Sequence, residues 1–318
     1  MAKQKIDKVF LKKKEALISR TALIMGVSVE EAEQSLCIPL VHSLRINTLL
    51  GSEESILAQL QELGWEGSRV EWCPRGYTIE KGYDQIKNCE LVHKGLIYVQ
   101  NQSSWLPVLA LDVQPGEDVL DLCAAPGGKT SHMAAIMGNT GRIVAYDTSR
   151  TRYLKLRANL ERLGVSIAEC KLTDSSSSGA ASAGFFDKIL LDAPCSGEGM
   201  VNLKLSNSLD TWSVAHIRRL SSLQKQMILQ AWSMLKPGGT LVYSTCTMAP
   251  EENEAVLEYL LRKVSGATID KLTVPVSSPI SHWNDRTFPD EIQRAGRVFP
   301  MAGNEAFFVA RIKKSGIF

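Results

Sequence analysis

The chain has 318 residues, of which 44% are hydrophobic and 22% are charged, and this composition is typical of a folded globular protein. It excludes a largely disordered chain and allows one large domain, or a small domain beside a larger one. The formal net charge is +2, from 36 basic and 34 acidic residues, so the overall balance neither requires nor excludes a nucleic-acid partner. Apolar runs such as Trp105 to Leu111 are far shorter than the roughly 20 residues of a membrane-spanning helix, so we expect no membrane segment.

The seven cysteines form no CxxC pair, so the sequence predicts neither a zinc site nor a thioredoxin-type motif. They are Cys37, Cys73, Cys89, Cys123, Cys170, Cys195 and Cys246. We therefore expect reduced thiols, a cytoplasmic protein and no bound metal. The basic stretch from Lys3 to Arg20 lacks the apolar segment of a secretory signal, and a solvated helix face and an RNA contact are about equally good interpretations of it.

The first hundred residues predict a small α+β unit. Ser28 and Glu31 form a capping box that opens a short helix, and a strand is expected over 43–50. The next helix has acidic residues in its first turn and ends at Gly64. Further short strands are centred on Val70, Tyr77 and Ile97. We assign this unit to residues 1–104.

From residue 105 to the end at 318 we predict one larger domain in which strands and helices alternate. Its strands are predicted at 119–123, 143–147, 167–170, 186–192 and 240–245, and its helices at 130–137, 149–163, 214–235 and 251–264. Such alternation specifies a mostly parallel, doubly wound sheet of the Rossmann-like α/β class. A low-complexity loop is expected over 175–184, and two final strands are expected on either side of Gly303 and Asn304.

The turn over 121–130 points to a ligand site, because ligands of open parallel sheets bind beyond the carboxyl ends of the strands. Gly127 and Gly128 let the backbone approach a ligand closely before a helix N-terminus. The turn has neither the spacing of a phosphate-binding P-loop nor a GxGxxG motif, which disfavours ATP and NAD. Asp147 and Asp174, which end the second and third strands, are suited to a nucleoside without phosphates.

Two further strand ends carry cysteines. The segment 192–199 begins with Asp192 and contains Cys195, and the segment 244–247 contains Cys246. Because neighbouring parallel strands end at one edge of a sheet, we expect two thiols and a carboxylate to face one cleft. A lone cysteine is usually a small buried hydrophobe, but a pair beside a carboxylate and a glycine-rich turn predicts chemistry.

Together these segments closely resemble the Sun-type RNA cytosine-5 methyltransferases. The matching stretches are Asp121–Thr130, Asp192–Gly199, Lys236–Gly239, Ser244–Thr247, Glu251–Glu254, Ser43–Leu49 and Gln100–Ser104. The resemblance implies a Rossmann-like class I methyltransferase domain with a smaller N-terminal α+β RNA-binding domain. It also implies S-adenosylmethionine as the cofactor and tRNA or rRNA as the substrate.

The resemblance further implies a role for each site residue. Cys246 is then the nucleophile, Cys195 the second cysteine that helps to release the product, and Asp192 the residue that hydrogen-bonds the N3 and N4 edge of cytosine. A thiolate added to C6 makes C5 nucleophilic enough to attack a methyl sulfonium. Only roughly 3% of a thiol with a pKa of about 8.5 is ionised at pH 7, and we expect the N-terminus of the helix after Cys246 to lower that pKa. The implied cofactor-binding residues are Cys123, Ala124, Ala125, Pro126, Gly127, Gly128, Lys129, Asp147, Arg152, Asp174 and Asp192.

Two other functions remain open from the sequence. One is a non-catalytic RNA-binding or ribosome-assembly factor that retains the methyltransferase fold. The other, a DNA or small-molecule methylase, is disfavoured by the two cysteines and the N-terminal resemblance. A target base cannot be reached inside a stacked helix, so the RNA must present a flipped or unpaired cytosine, and Arg45 and Asn47 are candidate RNA contacts. The sequence requires no protein partner and no form beyond a monomer.

Overall fold

The computed structural model of the protein describes residues 2–172, 184–205, 207–301 and 303–316. Asp174 and residues 175–183 of the low-complexity loop predicted over 175–184 lie outside the described residues. Among the described helices, none has the length and apolarity that crossing a membrane requires.

The first hundred residues contain one long helix, four shorter ones and a small antiparallel sheet. The helices are α1 (Ala2–Met25), α2 (Val29–Ser35), α3 (Glu53–Glu62), α4 (Tyr83–Ile86) and α5 (Glu90–His93), and the strands are β1 (His42–Ile46), β2 (Gly76–Ile79) and β3 (Ile97–Val99). The strand order is β2-β1-β3, with Arg45 opposite Gly76 on one side and Tyr98 on the other. Leu44 and Ile56 lie in the hydrophobic core between this sheet and α3.

Helix α1 packs against the large domain. Its residues Leu17 and Ile18 are buried in the same hydrophobic cluster as Ile189 and other strand residues of that domain. Arg20 donates hydrogen bonds to both carboxylate oxygens of Glu251, at 3.2 and 2.8 Å. One face of this basic helix is therefore a packing surface.

The large domain is built on a mostly parallel sheet. Its strands are β4 (Asp118–Asp121), β5 (Arg142–Asp147), β6 (Ala168–Leu172), β7 (Phe186–Asp192), β8 (Leu235–Thr245) and β9 (Ala267–Asp270), followed by the separate hairpin β10 (His282–Trp283) and β11 (Arg286–Thr287), and by β12 (Gly296–Val298) and β13 (Phe307–Lys314). The order is β12-β13-β8-β7-β4-β5-β6, and β9 pairs with β13. Strands β4 to β8 run parallel to one another, whereas β13 is antiparallel to β8, β9 and β12.

The strands of the parallel part are covered by helices on both faces. The helices are α6 (Leu106–Leu111), α7 (Gly128–Ile136), α8 (Arg150–Arg162), α9 (Val214–Met234) and α10 (Glu254–Lys263), with short 3-10 helices at Gln102–Trp105, Glu198–Met200 and Asp290–Arg294. Strands covered on both faces have near-continuous apolar runs, and Ile189, Leu190 and Leu191 of β7 are all fully buried. The predicted mostly parallel, Rossmann-like sheet is confirmed.

Local signals in the sequence located several helix ends correctly. Ser28 accepts from the Glu31 N–H, and the Glu31 carboxylate accepts from the Ser28 N–H, so the predicted capping box is present. Ser149 caps α8 as predicted. The strand expected around Val70 is reduced to an isolated bridge between Arg69 and Tyr77, so that prediction is wrong.

The prediction that Arg45 and Asn47 contact RNA is wrong, because both side chains are buried between the N-terminal unit and the large domain. Arg45 is 2% exposed, and its Nη2 donates to Ser131 Oγ of α7 at 3.1 Å. Asn47 Nδ2 donates to the carbonyl oxygens of Gly95 and Leu163, both at 2.9 Å. These residues connect the N-terminal unit to α7 and to the end of α8 in the large domain.

Candidate active site

The carboxyl ends of β4, β5, β7 and β8 surround a cavity of about 700 Å³, and a smaller cavity of about 240 Å³ lies beside it. The first is lined by the predicted site residues Cys123, Ala125, Asp147, Arg152, Asp192, Cys195 and Cys246. The second shares three of them and adds Ala124, Pro126, Gly128 and Lys129. The structure therefore gathers all the predicted site residues in these walls except Asp174, which is outside the described residues, and Gly127.

The glycine-rich turn is held closely against its surroundings. Gly127 has a φ of +103°, a conformation that favours glycine, and α7 begins immediately after it. A Cβ on Gly128 would lie 2.8 Å from Tyr98 Cε1, so the N-terminal unit forms one wall of the smaller cavity. The N–H of Ala124 donates to the carbonyl oxygen of Tyr146 at 2.9 Å, which ties the turn to β5.

Asp147 and Arg152 form one side of the large cavity. The Asp147 carboxylate is 3% exposed and accepts from the Ser149 N–H at 3.0 Å. Arg152 Nη2 lies 3.3 Å from Asp147 Oδ2 and donates to the Ala125 carbonyl oxygen at 2.7 Å. Arg152 thus links the acid at the end of β5 to the glycine-rich turn.

Asp192 is oriented from two sides. Lys129 Nζ donates to Asp192 Oδ2 at 2.7 Å, and Ser244 Oγ donates to Asp192 Oδ1 at 2.7 Å. Burial alone would lower the pKa of Lys129, but the charge and hydrogen bond of Asp192, with contributions from Cys246 and Asp121, raise it above its ordinary value. Lys129 is therefore a cation that interacts electrostatically with both Asp192 and Cys246.

The two cysteines meet at the mouth of the cavity, where Cys195 Sγ and Cys246 Sγ are 3.1 Å apart. The hydrogen bond with Cys246, together with burial, raises the pKa of Cys195 well above its ordinary value, so Cys195 keeps its proton. The N–H of Gly199 donates to the Cys246 carbonyl oxygen at 3.0 Å and ties the two segments together. Helix α10 begins at Glu254, three residues later than the predicted start at 251.

Asp121, the first residue of the glycine-rich motif, has a different place. Its carboxylate is 1% exposed and accepts from Thr130 Oγ1 at 2.7 Å and from the Cys123 N–H at 3.4 Å, which ties β4 to α7. Burial raises the pKa of Asp121 to about 6. Burial, with the nearby carboxylates of Asp121 and Asp192, also raises the pKa of Cys123, so this third thiol stays neutral.

Sequence reasoning missed a buried group of side chains behind the cysteines. Ser196, Gln224, Thr247 and Glu252 form one hydrogen-bonded cluster there, which we call the Ser196 cluster. The matching stretches 192–199, 244–247 and 251–254 contain Ser196, Thr247 and Glu252, but nothing in the sequence pattern showed that these side chains meet. Within the described ranges, no three His, Cys, Asp or Glu side chains are grouped so that they could hold a metal ion.

The family "16S rRNA methyltransferase RsmB/F" matches residues 108–313, and the family "N-terminal domain of 16S rRNA methyltransferase RsmF" matches residues 14–102. The chain is 43% identical over 287 residues to a tRNA (cytosine(49)-C(5))-methyltransferase of Pyrococcus abyssi, which covers 87% of this chain and 89% of that protein.

It is also 38% identical over 301 residues to the ribosomal RNA small subunit methyltransferase F of Aeromonas salmonicida, covering 91% of this chain and 60% of that protein. The chain therefore spans only about three fifths of the length of that relative. Among solved structures, a methyltransferase homolog protein from Pyrococcus horikoshii superposes with a TM-score of 0.80 at 33% identity, covering 93% of this chain and 98% of that one.

Proposed function

Because the chain belongs to the 16S rRNA methyltransferase RsmB/F family, we propose that it methylates C5 of a cytosine in tRNA or rRNA through a covalent adduct between Cys246 and C6 of the base. The family confirms the predicted Sun-type resemblance, the class I methyltransferase fold with its N-terminal domain, and the enzyme class. It also confirms S-adenosylmethionine as the cofactor.

The two cavities fit this cofactor. A nucleoside needs an acid for its ribose hydroxyls, and the buried Asp147 stands at the end of β5, where Arg152 lies beside it. The backbone at Gly127 and Gly128 has no Cβ to block a close approach. Asp174 remains a proposed neighbour of the adenine. When bound, S-adenosylmethionine supplies an electrophilic methyl group.

In the proposed reaction, the Cys246 thiolate attacks C6 of a flipped cytosine, and the C5–C6 double-bond electrons move onto C5 and the ring. Lys129 stabilises the thiolate beforehand through its charge. The same ammonium is a donor for N3, which gains electron density as sulfur adds, while the Asp192 carboxylate accepts from the N4 amino group. The donor and acceptor stand 2.7 Å apart and match the adjacent acceptor and donor of a cytosine edge.

After C5 has taken the methyl group, its proton must leave. Because Cys195 holds its own proton, a water that its sulfur orients receives the C5 proton; the C5–H electrons reform the C5–C6 double bond, the C6–S bond breaks, and Cys246 departs as a thiolate. The observation that carries this proposal is the 3.1 Å separation of the two sulfurs in the cavity that also contains Asp192. A non-catalytic RNA-binding factor would have no need for this arrangement.

The test uses methyl-labelled S-adenosylmethionine with separate pools of unmodified tRNA and rRNA. We expect base-resolved 5-methylcytosine in one pool with the wild-type protein, none with Cys246→Ala, and RNA covalently trapped on Cys195→Ala. Cys89→Ala is the matched control, because Cys89 is a partly buried free cysteine in the N-terminal unit and should leave activity unchanged.

Retention of activity in Cys246→Ala would overturn the proposed nucleophile, and absence of a trapped adduct on Cys195→Ala would overturn the role of the second cysteine. Absence of both methylation and cofactor binding would favour the non-catalytic alternative, whereas cofactor binding without methylation of either pool would indicate a missing partner or a precursor RNA. We propose a monomer acting on RNA in the cytoplasm.

A further inference from the structure

Glu252 is a fully buried carboxyl directly behind the segment that carries Cys195. Its Oε2 accepts from the Ser196 N–H at 3.0 Å, and its Oε1 accepts from Ser196 Oγ at 2.5 Å. Gln224 Nε2 donates to the same carboxylate at 2.8 Å. Three donors therefore converge on one side chain, and two of them belong to the residue that follows Cys195.

The other side of Cys195 is held by the same cluster. Gln224 Nε2 also donates to the carbonyl oxygen of Pro194 at 2.9 Å. The residues before and after Cys195 are thus both fastened, one through Gln224 and one directly, to the Glu252 carboxylate. Because the backbone is fixed on both sides, the position of the Cys195 sulfur depends on this contact.

The cluster also reaches the other cysteine segment. Ser196 Oγ and Thr247 Oγ1 are 2.8 Å apart, so the residues that follow Cys195 and Cys246 are hydrogen-bonded to each other. Glu252 thereby restrains the separation of the two segments as well as the course of one of them.

A buried carboxyl is a costly choice for a purely structural role. Among the residues that the structure describes, no lysine, arginine or histidine forms an ion pair with Glu252, and burial raises its pKa to about 7. A neutral or apolar group would fill the same space at a lower cost. The feature that a carboxylate adds here is two acceptor oxygens aimed at the Ser196 backbone and hydroxyl.

We propose that Glu252 is a positioning residue that holds Cys195 beside Cys246 and so sets the rate of product release more than the rate of adduct formation. The inference rests on the proposed function, in which Cys195 acts only after the covalent adduct has formed. It predicts that weakening the Ser196 cluster leaves Cys246 able to attack the base but delays its expulsion.

The experiment compares wild type with Glu252→Gln in single-turnover reactions with S-adenosylmethionine and the methylated RNA pool. Denaturing gels measure the RNA–protein adduct as it forms and decays, and 5-methylcytosine is measured in parallel. We expect adduct formation within about threefold of wild type and adduct decay slowed roughly tenfold or more, as displacements of catalytic groups on the ångström scale commonly produce. Adduct then accumulates during steady-state turnover.

Glu251→Gln is the matched control, because the neighbouring Glu251 side chain contacts Arg20 and Trp283 and makes no hydrogen bond to either cysteine segment. It should form and release adduct as wild type does. The proposal is overturned if Glu252→Gln slows formation and decay equally, or releases adduct as fast as Glu251→Gln.

Ser196→Ala tests the same idea if Glu252→Gln does not fold. It removes the hydroxyl contacts to Glu252 and Thr247 but keeps the backbone N–H bond, so we expect slower adduct decay by a smaller factor. Wild-type release in Ser196→Ala would then overturn the proposal. A failure of the proposed function is separate, because it would show in wild type as the absence of any Cys246-dependent adduct.

Discussion

The buried ion pair between Arg297 of β12 and Glu254 of α10 gives a strong stability prediction. Arg297 Nε and Nη2 donate to the two oxygens of Glu254 at 2.6 and 2.5 Å, and the two side chains are 1% and 0% exposed. Arg297 Nη1 also donates to the carbonyl oxygen of Met248, at 2.8 Å, two residues after Cys246. The pair therefore joins the C-terminal strands to the segment that bears the proposed nucleophile.

Replacing Arg297 with methionine leaves the Glu254 charge buried without its cation. Removing one partner of a buried pair costs about 3–5 kcal/mol. Unfolding entropy is about 2.1 cal/mol/K per residue, which for 318 residues amounts to about 0.7 kcal/mol/K. For a single cooperative transition, we therefore expect Arg297→Met to lower Tm by about 4–8 °C.

Thermal melts of three variants test this reasoning. The double variant Arg297→Met/Glu254→Met removes both charges and should recover at least half of the loss. Arg142→Met breaks the exposed Arg142–Glu169 pair, in which the nitrogen and oxygen are 3.0 Å apart and the side chains are 41% and 50% exposed. It should change Tm by less than about 2 °C, because exposed pairs contribute only about 0–1 kcal/mol. The reasoning is refuted if Arg297→Met melts like Arg142→Met, or if the double variant is as unstable as the single one.

Two further predictions concern the cysteine segments. Burial raises the pKa of Glu252 from 4.5 to about 7, so the folded state binds this proton more tightly than the unfolded state does. The associated stability, about 3 kcal/mol, is present below pH 4.5 and is lost as the pH rises through 7. In urea unfolding experiments, Glu252→Gln should therefore lose less stability than wild type between pH 5 and pH 8. In Gly199→Ala, the new Cβ would lie 2.1 Å from the Ala306 carbonyl oxygen and 3.0 Å from the Cys246 carbonyl oxygen, so methylation should fall by about 100-fold or more. In the control Gly316→Ala, the new Cβ has no atom within 4 Å, and methylation should match that of wild type.

Local chemistry explains what the sequence could predict. The capping residues Ser28 and Ser149 satisfy backbone donors within three residues, so their effect on helix starts needs no knowledge of the rest of the fold. The convergence of Asp192, Cys195 and Cys246 also follows from one rule, because β7 and β8 are parallel neighbours and must end at the same edge.

The pattern of the sequence could not predict contacts between segments that are distant along the chain. Arg45 has the alternation of a strand residue, and only the packing of β1 on α7 shows that its guanidinium is buried against Ser131. Leu17 and Ile18 lie in a lysine-rich stretch, and the charge of that stretch did not indicate that these two side chains pack against the large domain. The acids of the 251–254 stretch were interpreted as a helix start, whereas Glu252 turns back toward Ser196.

Lys129 shows how such a distant contact changes the chemistry assigned to a residue. Its place in the glycine-rich turn made it a predicted cofactor residue, yet its ammonium hydrogen-bonds Asp192 and its charge interacts with Cys246. In the proposed mechanism, one cation thus orients the carboxylate that binds the base and also stabilises the thiolate that attacks it. Lys129 is the second residue of α7, and its ammonium reaches the Asp192 carboxylate within the cleft. Binding of the base and activation of the nucleophile consequently depend on the same side chain.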